Sequence, residues 1–136
     1  MAYTLSTQVP LPYTDAIEAV RAALSDQGFG ILTEIDVRAT FNQKLGPEAG
    51  DAVGDYIILG ACNPSLASRA LAAEPEMGAL LPCNVVVRRA PGAEATTIEA
   101  IDPQTMVQLS SSGHVQEVAD DAGTRLRAAL AAVSSR

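Results

Sequence analysis

Tryptophan is missing from this 136-residue chain and aromatic residues make up only 4% of it, so its core has to be built from aliphatic side chains. Nine Lys and Arg face sixteen Asp and Glu, for a formal net charge of −7. Nucleic acid and anionic membrane are held by clustered basic residues that displace counterions, and here the basic residues are few and scattered. Apolar runs such as Ala79-Leu80-Leu81 and Val85-Val86-Val87 are too short to cross a bilayer. The opening Met1-Ala2-Tyr3-Thr4 has neither the basic start nor the apolar stretch of a signal peptide. The two cysteines are twenty residues apart, which suits neither a disulfide framework nor a zinc-type Cys-x-x-Cys pair. Reduced thiols and a cytoplasmic location are therefore expected. With one histidine there is no second imidazole for a His-based metal site, and neither a metal nor a cofactor is expected. No phosphate loop, dinucleotide fingerprint or serine elbow is present. The glycines of Gly28-Phe29-Gly30 fall between a helix and a strand, the wrong order for nucleotide binding.

Hydrophobic residues make up 48% and charged residues 18%, the composition of a globular chain, and the length suits one domain over residues 1–136. Tyr3, Leu5, Thr7 and Val9 alternate with polar neighbours and predict a half-buried strand. Thr14 is placed to cap a helix with Asp15 and Glu18 in its first turn, ending at Gly28. A second strand is predicted over 31–37, with Ile31, Thr33, Ile35 and Val37 on one face and Leu32, Glu34 and Asp36 on the other. A short helix from about Ala39 to Leu45 follows, and 47–54 reads as loop. Tyr56-Ile57-Ile58-Leu59 is apolar on both faces and reads as an inner strand. Asn63-Pro64 is the best helix start in the chain, because Asn caps and Pro at the first helical position lacks only a donor that would be unpaired anyway. Val85 to Arg89 and Thr96 to Ile101 read as a hairpin around Pro91-Gly92, and Thr105 to Leu109 as a short strand or a helical turn. Val115, Val118, Ala119, Ala122, Leu126, Ala129, Leu130 and Val133 repeat at helical spacing for about five turns, with Gly123 set among them for close packing. The expected fold is two-layer α+β: about five strands in a mixed or mostly antiparallel sheet, helices on one side, and a long C-terminal helix.

Several of these stretches resemble the family known as domain of unknown function 302. They are Gly28 to Val37, Leu59-Gly60-Ala61-Cys62-Asn63-Pro64, Leu81-Pro82-Cys83-Asn84-Val85 and Ile101-Asp102-Pro103; the Gly- and Ala-rich stretch 47–54 departs from the pattern. The resemblance covers nearly the whole chain. It implies a compact bacterial α+β domain that forms dimers, and it carries across no activity and no catalytic residue.

Candidate site residues come from the residue types themselves. Cys62 precedes the Asn63 cap, and the field at a helix start favours a thiolate; a packing thiol in the core is the plainer account. Cys83 opens a valine-rich strand in a second Cys-Asn pair. Both cysteines lie at the ends of core strands, so the two are able to converge, and with Met106 they would suit a soft metal such as Cu(I). Asn63 reads as a helix cap and Asn84 as closing a turn or bulge, while either amide is able to orient a ligand. Glu34 and Asp36 share a strand face, a pairing that serves acid–base work or a hard cation, though a solvated face explains it too; Lys44 is a candidate partner for one of them. His114 is expected on the surface.

The leading expectation is a binding module for an unidentified small ligand, with its site around Cys62, Asn63, Cys83 and Asn84 and the Glu34/Asp36 pair a weaker candidate. Thiol-dependent redox or soft-metal handling through Cys62 and Cys83, and a structural dimer unit without a site, are the alternatives. Whether the protein is an enzyme is left open. The expected partner is a second copy of the chain, with no nucleic acid and no membrane.

Overall fold

The computed structural model describes residues 2–110 and 112–136; Met1 and Ser111, the latter inside the polar run before the last helix, lie outside them. Five strands, β1 (Thr4–Val9), β2 (Gly30–Asp36), β3 (Asp55–Cys62), β4 (Cys83–Arg89) and β5 (Thr96–Ile101), form one sheet in the order β1-β5-β4-β3-β2. Every neighbouring pair is antiparallel. The helices are α1 (Tyr13–Asp26), α2 (Val37–Leu45), α3 (Pro47–Val53), α4 (Pro64–Ala73), α5 (Gln104–Leu109) and α6 (Gly113–Ser134), with a 3-10 helix over Pro75–Leu80. No described helix is long and apolar enough to cross a membrane.

The register sorts side chains into rows, because residues directly opposite each other point to the same face. Leu5, Ala100, Val85, Leu59 and Glu34 make one row, and Thr7, Ile98, Val87, Ile57 and Asp36 the next. Onto the inner part of these rows pack Ala16, Ala19, Val20, Ala23 and Leu24 of α1 and Leu126, Ala129 and Val133 of α6, which gives the aliphatic core that the lack of aromatics demanded. Burying each Val or Leu among them is worth about 1.5–3 kcal/mol, and each Ala methyl about 0.8 kcal/mol. A second buried cluster joins α4, α5, α6 and the start of β4 through Leu66, Ala70, Met77, Cys83, Met106, Val115, Val118 and Ala122. On the opposite sheet face the row Ser6, Glu99, Val86, Ile58, Ile35 runs across all five strands and belongs to neither cluster.

Several local expectations are corrected. The first long helix begins at Tyr13 rather than after a Thr14 cap, since Pro12 in extended geometry already sets up the turn and its carbonyl accepts from the Ala16 N–H at 2.9 Å. Gly28 does end that helix with φ +84°. In β2 a bulge between Ile31 and Thr33 puts Ile31 opposite Ala61 and Thr33 opposite Gly60, so these two residues lie on different faces. Val37 has already entered α2, which Asp36 caps by accepting from the Ala39 N–H at 2.9 Å. The stretch 47–53 is a helix, not a loop: Pro47 sits at its start with Glu48 in the first turn. Gly50 is required there, because a Cβ would come within 2.7 Å of the Arg38 carbonyl oxygen where α3 folds back on α2. Tyr56 and Ile58 are only half-buried although β3 is an inner strand, because their face of the sheet has no helix over it, and Ile57 on the covered face packs half-buried against the core. Of the two readings open for Thr105 to Leu109, the helical one holds, as part of α5.

Candidate functional site

Two chain segments separated by twenty residues meet because β3 and β4 pair antiparallel with Ala61 opposite Cys83. That register brings the end of β3, where Cys62 leads into the Asn63 cap of α4, beside the start of β4. Above this corner lie α4, α5 and α6, and the side chains they turn inward include several that are small: Ala67, Ala70 and Ala122. The small residues leave a cavity of about 40 Å³, lined by Phe29, Cys62, Cys83, Leu66, Met106 and Val118 among others. By the same measure one water needs roughly 10–15 Å³, so the space admits more than one solvent-sized group. Its lining includes no acidic or basic side chain apart from the two thiols.

Of the residues singled out in sequence, Cys62, Asn63, Cys83 and Met106 all line this cavity. Both cysteines are free thiols, Cys62 half-buried and Cys83 buried. Burial, with a smaller contribution from the neighbouring Cys62, pushes the Cys83 thiol up to about 11. Asn63 is buried and engaged at both ends of its amide. Its Oδ1 accepts from the Leu66 N–H at 3.2 Å, and its Nδ2 donates to the Gln27 carbonyl at 3.4 Å. The residue therefore caps α4 and ties it to the end of α1, where the Arg125 guanidinium also donates to the Gln27 carbonyl. Asn84 lies apart: it is exposed, opposite Gly60 on the uncovered face of the sheet.

Glu34 and Asp36 share a face, as expected, but both are exposed and neither reaches the cavity. Glu34 pairs with Arg21 of α1 rather than with Lys44, and Asp36 is used as the cap of α2. Among the described residues no group of three His, Cys, Asp or Glu could hold a metal ion. Tyr13 is pushed up to about 12, first by burial and then by the carboxylates of Asp36 and Asp55. His114 is exposed near the start of α6. Sequence reasoning did not single out Phe29, Leu66, Ala70, Val118 or Ala122 as site residues. Their apolar periodicity marks them as core, and only the tertiary packing shows that their small members leave a space.

The family model described as "Domain of unknown function DUF302" matches residues 5–133. A crystal structure of an uncharacterized conserved protein DUF302 from Bacillus stearothermophilus is similar at 27% sequence identity, with a TM-score of 0.85 over 97% of this chain and 98% of that one. No curated protein matches the chain.

Proposed function

The chain belongs to the DUF302 family, and from that premise we propose that it is a small bacterial, cytoplasmic binding module whose site is the cavity at Cys62, Asn63 and Cys83. The observation that carries this reading is the cavity itself: about 40 Å³ of space at the meeting of β3, β4, α4, α5 and α6, lined by both cysteines and Met106. Core packing ordinarily closes such gaps, because each unfilled methyl-sized void costs about 1 kcal/mol. The ligand that fits is small, at most a few non-hydrogen atoms, and apolar or soft, since no charged side chain is there to pair with an ion of the hard type. Both cysteines are free thiols, the form that a reducing compartment maintains, which supports the cytoplasmic placement.

The test is pressurised xenon followed by amide NMR on the native chain. Shifts confined to Cys62, Leu66, Cys83, Met106 and their neighbours are expected, and Ala122→Leu, which fills the space, should abolish them. Unchanged spectra, or shifts that persist in the filled variant, would sink the reading.

Self-association is a second part of the proposal, and a different observation supports it. The uncovered sheet face carries the row Ile35, Ile58 and Val86, with Ile35 48% exposed. The charged groups nearest that row, Arg88 and Glu99, pair with each other at 2.6 Å and cancel. On a chain of net charge −7 this neutral aliphatic strip is where two copies meet with least repulsion, most simply about a two-fold axis. Light scattering should give twice 14.1 kDa, and Ile58→Asp should return the particle to 14.1 kDa; a native particle of 14.1 kDa at micromolar concentration counts against the dimer.

A further inference from the structure

We propose that Cys83 and Met106, with Cys62 at the rim, form a binding site for a soft monovalent metal ion, Cu(I) or Ag(I), inside this cavity. The assignment rests on the binding-module reading above and names its ligand class. The chain has two cysteines and three methionines. Three of these five sulfur residues line the one cavity, and Met77 packs in the cluster around it together with Cys83 and Met106. Sulfur is thus concentrated at a single corner of a fold that has little of it.

Ligand chemistry selects the ion. Thiolate and thioether sulfurs favour soft cations, whereas Ca²⁺ and Mg²⁺ require oxygen ligands, and no carboxylate lines the space. Charge narrows the choice further. One thiolate with one monovalent cation is neutral overall, which an apolar cavity tolerates, while a divalent ion would leave an unpaired charge there. The binding step balances without redox chemistry. The Cys83 S–H bond breaks, its proton leaves to solvent, and the sulfur lone pair forms the S–metal bond. Met106 donates a lone pair and loses no proton. Cys62, half-buried where Cys83 is buried, is the sulfur that an arriving ion meets first.

Binding that displaces a proton strengthens with pH, by about tenfold per unit for one proton. The groups able to titrate at the cavity are the two thiols: β3 and β4 supply these, and α4, α5 and α6 contribute only apolar side chains to the lining. The experiment is anaerobic titration of the full chain with Cu(I) in competition with bicinchoninate, from pH 6 to 8. One ion per chain is expected, with a tenfold gain in affinity per pH unit. Cys83→Ala should lose at least a hundredfold. Met106→Leu, which keeps the volume and removes only the sulfur, should lose at least tenfold with its circular dichroism unchanged. Cys62→Ser should slow loading and leave most of the affinity. If Cys83→Ala does not fold, Met106→Leu decides alone. Absence of competition, pH-independent affinity, or wild-type affinity in Met106→Leu would overturn the assignment. The xenon experiment separates the two claims: xenon entry without metal binding removes the metal and leaves the cavity as a site, and failure of both removes both.

Discussion

The environments of the two cysteines translate into a large difference in reactivity. Iodoacetamide attacks the thiolate, so its rate follows the fraction ionised and the access of reagent. Burial moves the Cys83 thiol from 9.0 to about 11. At pH 8 that shift lowers its thiolate fraction by about a hundredfold relative to an unshifted thiol. Access acts in the same direction, because Cys83 is 7% exposed while Cys62 is half-buried. Native protein labelled from pH 6 to 9, with each cysteine followed by peptide mass spectrometry, should show Cys62 reacting faster than Cys83, and Cys83 at pH 8 labelled about a hundredfold more slowly than in the denatured chain. Cys62→Ser should remove the fast phase. The slow phase should speed up only when denaturant opens the corner between β4 and α6. Equal rates, or a faster Cys83, would refute the placement of these two sulfurs.

Alkaline pH should destabilise the fold. Cys83 and Tyr13 both have raised values, about 11 and about 12, so above pH 9 the native chain holds protons that the unfolded chain has lost. Stability is then full below pH 9 and falls as pH rises through 9–12, and urea titrations of wild type against Cys83→Ser should show the variant losing less between pH 9 and 11; a flat profile would contradict the burial of both groups. Asn63→Ala should cost about 1–2 kcal/mol, because it uncaps α4 and also frees the Gln27 carbonyl. A midpoint unchanged in urea would show that the cap contributes nothing. Gly123→Ala should stabilise α6 by up to about 1 kcal/mol, since a Cβ there meets only the mobile end of Arg127 at 3.1 Å, and a drop in melting temperature would mean that the helix packs more tightly than this.

Where two levels of signal agreed, the sequence read correctly. Thr96 to Ile101 follows a Pro-Gly turn and is broken by Asp102-Pro103, and β5 has those bounds. Asn63-Pro64 marked the start of α4 because the cap and the first helical residue are adjacent in the chain. The long apolar stripe of α6 was legible from spacing alone. Elsewhere the deciding contact was distant or the side chains were small. Helix α3 has almost no apolar stripe, and it holds because Gly50 lets it sit against α2. The bulge at Leu32 leaves no mark in composition, yet it turns Ile31 and Thr33 to opposite faces. The site was legible in its parts and not in its assembly. Cys62, Cys83 and Met106 stood out as sulfur residues, but their convergence depends on the Ala61–Cys83 register and on how α5 docks. For Asn84 the signal was in the chain itself: alternation along β4 turns it away from the face that Cys83 shares with Val85 and Val87.

The central claim is that the corner lined by Cys62, Cys83 and Met106 is an accessible cavity and not a closed part of the core. With only three methionines in the chain, methyl-¹³C methionine labelling gives a spectrum in which Met106→Leu identifies one signal outright. Raising the xenon pressure on the native protein should move the Met106 methyl resonance progressively and saturably, and Ala122→Leu should hold it still. A Met106 signal that does not respond to xenon in the wild-type chain would contradict the account.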